Sequence, residues 1–139
     1  MTVSTAELLK NIQIAIDMGK FAEENKDEFL SERPHDYLNR LMREKNLELS
    51  AICAKSELDS SYCYRILSGT RTPSRNSLIH IILGIGLSVD EAQHALRLYQ
   101  LARLDPRCYR DAAILFAISK GYTLIQTAEL LYELGEAEL

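Results

Sequence analysis

The sequence predicts an all-α protein, on three observations. Glycine and proline are scarce, with six and three among 139 residues. The β-branched residues do not fall into the alternating runs that strands require. Apolar residues instead recur at three- and four-residue spacing between recognisable cap signals. An apolar fraction of 47% suffices for a buried core. Roughly seven to nine helices joined by short loops are expected.

The elements follow in chain order. Ser4 and Glu7 have capping-box spacing, and Leu8, Ile12, Ala15 and Ile16 share one face of a helix running to Gly19. The charge-rich stretch FAEENKDEFLSERP reads as a short helix or a linker ending at Pro34. From Asp36, the residues Leu38, Leu41 and Met42 make an apolar stripe that stops near Asn46. A short helix over 49–56 fits LSAICAKS, and the break Glu57-Leu58-Asp59 separates it from a second helix, SSYCYRILS. Gly69 ends that helix as a left-handed cap. Pro73-Ser74 opens the next, with Leu78, Ile81, Ile82 and Ile85 inward and Gly86 at its end. Ser88 and Glu91 form a second capping box, opening VDEAQHALRLYQLA. Beyond Pro106 lie RDAAILFAIS and TLIQTAELLYEL, the latter with Thr123 and Gln126 as its cap pair.

Two short helices across a three-residue break form a helix-turn-helix pattern. Cys53 is the small residue a tight turn needs, and Leu58, Cys63 and Ile66 supply the stripe that docks the second helix on the first. Ser60, Ser61, Tyr64 and Arg65 then fall on the opposite, polar face. Arginine grips guanine O6 and N7 bidentately, and serine donates or accepts in the major groove.

On these residues the chain resembles the Cro and phage-repressor type of helix-turn-helix regulator, the XRE family. The resemblance runs through LELSAICAKSELDSSYCYRILSG into TRTPSRNSLIHIILGIGLSVDEA. Its most specific part is Gly69 followed by Pro73-Ser74. It implies a five-helix repressor-like unit over 36–104, with helical extensions over 1–35 and 105–139. It also implies base contacts from Ser60, Ser61 and Arg65, and DNA backbone contacts from Arg71 and Arg75, to which Tyr62 and Tyr64 are added. Tyr62 is expected to pack with its hydroxyl near the backbone, leaving Tyr64 the more exposed. Two positions depart from the family pattern: Leu49 stands where many members carry Gln, and Glu57 where they usually carry Gly. The 105–139 segment also looks like the tail of a bacterial subgroup of these regulators.

Net charge is −4, so non-specific nucleic-acid binding by the whole surface is not expected. The distribution says more. Residues 1–35 sum to −3, 36–104 to +2 and 105–139 to −3. From residue 60 to 89 there are three arginines and no acid. Cys53, Cys63 and Cys108 show no CxxC or Cys/His spacing, which argues against a zinc site or disulfide framework; Cys53 and Cys63 read as inert core thiols. His35, His80 and His94 share no ligand spacing. Asp105 and Asp111, near Arg107 and Arg110, read as helix-start capping. No phosphate loop, nucleophile elbow or metal motif is present, so neither an enzyme nor a cofactor is expected. No run of about 18 apolar residues occurs, and the first residues lack a signal-peptide pattern. A soluble, reduced, cytoplasmic protein is expected.

The function expected is a sequence-specific regulator that reads double-stranded DNA with the helix over 60–68, as a homodimer. The terminal helices are assigned to dimerisation, to capping the domain or to a partner protein. The alternative is a helix-turn-helix adaptor or antitoxin-like interaction module without strong DNA binding, for which Leu49, Glu57 and the negative net charge speak.

Overall fold

The structure, a computed structural model, describes residues 3–139, which form nine α-helices and one 3-10 turn with no strand among them. Among the described residues no helix is long and apolar enough to cross a membrane. Packing divides the chain into two units, Met1–Ser31 and Glu32–Leu139.

The first unit holds α1 (Thr5–Ile14), α2 (Met18–Glu24) and a 3-10 turn over Lys26–Glu28. The expected single helix up to Gly19 is two helices. The Asp17 carboxylate accepts from the Gly19 and Lys20 N–H groups, at 2.9 and 3.4 Å, and so starts α2 where a continuation was expected. Ser4 caps the Glu7 N–H at 3.1 Å, but among the described residues the reciprocal bond from the Ser4 N–H to Glu7 does not form; the neighbouring Val3 N–H donates to Glu28. Among the described residues of this unit Phe21 alone is buried, edge-on to Phe29. Ile14, Ile16 and Met18 lie open to solvent.

The second unit comprises α3 (Pro34–Glu44), α4 (Leu49–Lys55), α5 (Ser60–Ser68), α6 (Arg75–Ile85), α7 (Val89–Leu98), α8 (Tyr109–Ser119) and α9 (Leu124–Glu133). It begins four residues earlier than expected, because the Arg40 guanidinium on α3 reaches back to Glu32 at 2.9 Å. Nor does a boundary fall at residue 104. Leu104, Ile114, Ile118, Leu124 and Leu131 share one core with α3–α7. Gln93 clasps the Leu104 backbone through two 2.8 Å bonds. Arg110 pins the C-terminal segment through the Ala137 and Glu138 carbonyls.

Helix α6 is the axis of this unit. Leu78, Ile79, Ile81, Ile82, Leu83, Gly84 and Ile85 are all buried, and a helix apolar on nearly every side must be packed round. It packs against α4, α7 and α9, while α3 lies on α5 and α7, and α8 on α7 and α9. The α4–α6 approach depends on Gly84. A Cβ there would lie 2.5 Å from the Ser56 Oγ, which is buried and donates to the Ile52 carbonyl at 2.7 Å. The Ser56 carbonyl in turn takes His80 Nδ1 at 2.8 Å, tying the end of α4 to α6 a second time. The capping boxes at Ser88/Glu91 and Thr123/Gln126 both form.

Gly84→Ala is expected to destabilise the protein by about 1–2 kcal/mol in urea titration, overpacking outweighing the gain in helix propensity. Ser56→Ala in the same chain should recover most of that loss, because it removes the clashing atom. Simple additivity of the two losses would show that the close approach is not the cause.

Candidate nucleic-acid interface

The acid-free segment is built around α5. Asp59 caps its start, accepting from the Tyr62 N–H at 3.1 Å. Gly69 closes its end in the left-handed region at φ 84, where the Thr70 and Arg71 N–H groups both reach the Arg65 carbonyl. The Ser68 and Thr70 hydroxyls donate to that same carbonyl, at 3.1 and 3.2 Å. A side chain at Gly69 would also run into the His35 ring, 2.5 Å from the ideal Cβ. From α3, Asn39 Nδ2 donates to the Leu67 carbonyl at 2.8 Å and to its own turn at His35. The inner stripe of Cys63, Ile66 and Leu67 is buried. Burial, with the Cys53 thiol beside it, pushes the Cys63 thiol up to about 12, so Cys63 is no ready thiolate. α5 is therefore fixed at both ends and along one side.

The opposite face is free. Ser60, Ser61, Tyr64 and Arg65 are all exposed, and Ser61, Tyr64 and Arg65 share one side of the helix. Among the described residues no ion pair or hydrogen bond engages the Arg65 guanidinium. Arg71, beyond the Gly69 cap, is exposed and stacks over the Tyr62 ring, its guanidinium carbon 5.1 Å from the ring centre. Tyr62 is half-buried, and its hydroxyl accepts from the Ser74 N–H at 3.4 Å, near the backbone as its position suggested. Tyr64 is 42% exposed.

Arg75 leaves this set. Its guanidinium donates to both Asp111 oxygens, at 3.1 and 2.9 Å, and to the Ala102 and Arg103 carbonyls, at 2.8 and 3.1 Å. Four of its five N–H donors are spent inside the fold, which holds Arg75 as a structural clamp and leaves one donor to turn outward. Asp111, in turn, is no simple cap. Burial alone would raise its pKa, but the Arg75 hydrogen bonds and the Asp105 N–H outweigh burial and hold the carboxyl below the usual carboxylate range. This clamp and the Asn39–Leu67 bond join residues 36 and 28 apart, so no local pattern announces either. Asp59 was findable, since Asp immediately before SSYCYRILS is an ordinary N-cap signal.

The two unusual positions have distinct explanations. Leu49 is half-buried and packs against the core, where a polar residue would lose apolar contact. Glu57 takes φ 51, the left-handed conformation the three-residue break imposes. Among the described residues no three His, Cys, Asp or Glu side chains gather as a metal site requires. No protein-family model matches the chain, and neither a curated protein nor a solved structure does.

Two stability measurements follow from this geometry. Glu57→Gly should stabilise the protein by about 0.5–1 kcal/mol, relief of backbone strain exceeding the added freedom of the unfolded chain. An unchanged or lower urea midpoint would contradict strain at that position. Asp111→Asn should cost about 2–3 kcal/mol near neutral pH by leaving Arg75 half-paired. Because the folded pKa lies below the unfolded value of about 3.9, the wild-type advantage is complete above that pH and fades as pH falls through the folded value. The gap between wild type and Asp111→Asn should thus stay constant from about pH 7 to 5 and shrink below about pH 4.

Proposed function

We propose that α3–α7 form a five-helix, repressor-like helix-turn-helix unit and that the chain is a sequence-specific regulator of transcription that binds double-stranded DNA. The observation that supports this most is the free face of α5. Two serines and an unpaired arginine stand outward on a helix held rigid at both ends, with Arg71 beside them and no acid between residues 60 and 89. In this reading α5 enters the major groove, and Ser60, Ser61 and Arg65 meet base edges. Arg71 and Tyr64, with the backbone N–H groups at the start of α6, approach phosphates.

A homodimer belongs to the same proposal. One α5 makes few contacts, and two copies on half-sites about one helical turn apart supply the rest. The exposed apolar residues Leu9, Ile12, Ile14 and Ile16 of the N-terminal unit suit such an interface. The adaptor reading has Glu57 and the net charge of −4 in its favour. The exposure of Ser61 and Arg65 on α5 favours the duplex-binding reading over it.

Selection of duplexes from a random pool, followed by titration of the best one, tests the proposal. Arg65→Ala should lose about 1–3 kcal/mol of affinity and relax the preference at one base. Arg71→Ala should weaken binding to all duplexes alike and lower the salt dependence by about one unit of slope. Absence of saturable duplex binding at low salt would favour the adaptor. Unchanged affinity and preference in Arg65→Ala would remove that residue from base reading.

A further inference from the structure

On the far side of the α4–α5 turn lies a cleft of about 410 Å³, between the end of α4, the end of α6 and the start of α9. This is the size at which small molecules are held. Its walls are apolar, with Ile82, Leu83, Ile118 and Ile125 among them. Ile125, at the start of α9, is 58% exposed at the edge of the cleft. The glycines at the two helix ends, Gly86 and Gly121, leave the space open: an ideal Cβ on either would meet nothing within 4 Å.

The rim carries one charge of each sign. Lys55 and Glu57 both line the cleft, both are exposed, and among the described residues neither takes part in an ion pair. Lys55 is the last residue of α4, and Glu57, two residues on, stands where the backbone turns left-handed. An apolar floor beneath one ammonium and one carboxylate is complementary to a molecule with an apolar body and one charge of each sign.

From this arrangement we infer that the cleft is a binding site for a small apolar zwitterion, of the chemistry of an apolar amino acid or dipeptide. The ligand carboxylate pairs with Lys55, its ammonium with Glu57, and its side chains lie along Ile82, Leu83 and Ile125. Glu57 belongs to the turn that sets the start of α5, so occupancy bears on how α5 is presented. The site itself does not depend on what α5 touches; its regulatory consequence rests on the duplex-binding reading.

The test is a titration of the full chain with leucyl-leucine, followed by the amide resonances in NMR spectra. Saturable shifts are expected around Ala54–Asp59 and Gly121–Ile125, with a Kd of about 0.1–1 mM for a ligand of that size. N-acetyl-leucyl-leucinamide, of the same apolar body without the charges, should bind at least about tenfold more weakly. Ala54→Trp, at an exposed cleft-lining position, should fill the cleft and abolish the shifts while the rest of the spectrum stays folded. Lys55→Glu, at another exposed rim position, should weaken leucyl-leucine by about tenfold without touching the apolar walls. No saturable shift with leucyl-leucine, or shifts elsewhere in the chain, would overturn the site. Equal binding of the blocked compound would overturn the charge pairing with Lys55 and Glu57. Duplex affinity measured with and without leucyl-leucine separates the two proposals, because the shifts are read whether or not any duplex binds.

Discussion

Residues 32–139 are organised by one constraint: α6 is too apolar to meet water on any long side. Seven of its eleven residues are buried, so helices must surround it, and α4, α7 and α9 do. A helix wrapped this way needs near neighbours to come close where the chain is narrow. Gly84 provides that point, letting the Ser56 hydroxyl lie where any side chain would stand. Since α5 hangs from α4 across a short turn, the orientation of the exposed face descends from this packing. The C-terminal helices join the same core, which is why α8 and α9 act as part of the unit rather than as an appendage.

Around that apolar axis, a few polar bonds couple segments far apart in the chain. Arg75 is the clearest. It stands at the start of α6, facing the loop at residues 102–103 and Asp111 at the start of α8, and uses its donors on all three. An arginine at a helix start beside a basic loop looks like a phosphate ligand, and here it is a clamp. Within residues 60–89 the exposed arginines are thereby Arg65 and Arg71. Electrostatically, the face is small and uncompensated, not broadly basic.

The same elements carry two surfaces with different chemistry. On one side of the α4–α5 turn, α5 presents hydroxyls, a phenol and a guanidinium on a rigid support. Across the turn, Lys55 and Glu57 edge an apolar hollow. Glu57 sits between them at a left-handed position that glycine would occupy more comfortably.

Local physics made much of this legible. The all-helical class, the breaks at Glu57–Asp59 and Gly69, the caps at Ser74, Ser88 and Thr123, and the inward faces of α5 and α6 follow from spacing and from the few residues that start or stop helices. The outward placement of Ser60, Ser61, Tyr64 and Arg65 follows too, since it is the complement of the buried stripe. Where local signals competed, the sequence was ambiguous: Asp17 restarts a helix that apolar periodicity alone would have continued to Gly19. What only the tertiary structure decided are the partners of long side chains and the joins between distant segments. Arg75 and Asp111, Asn39 and Leu67, Gln93 and Leu104, and the hollow between α4, α6 and α9 belong here. The reason is reach: periodicity and capping act over about one or two turns, whereas a guanidinium finds its carboxylate only after the core has brought their helices together.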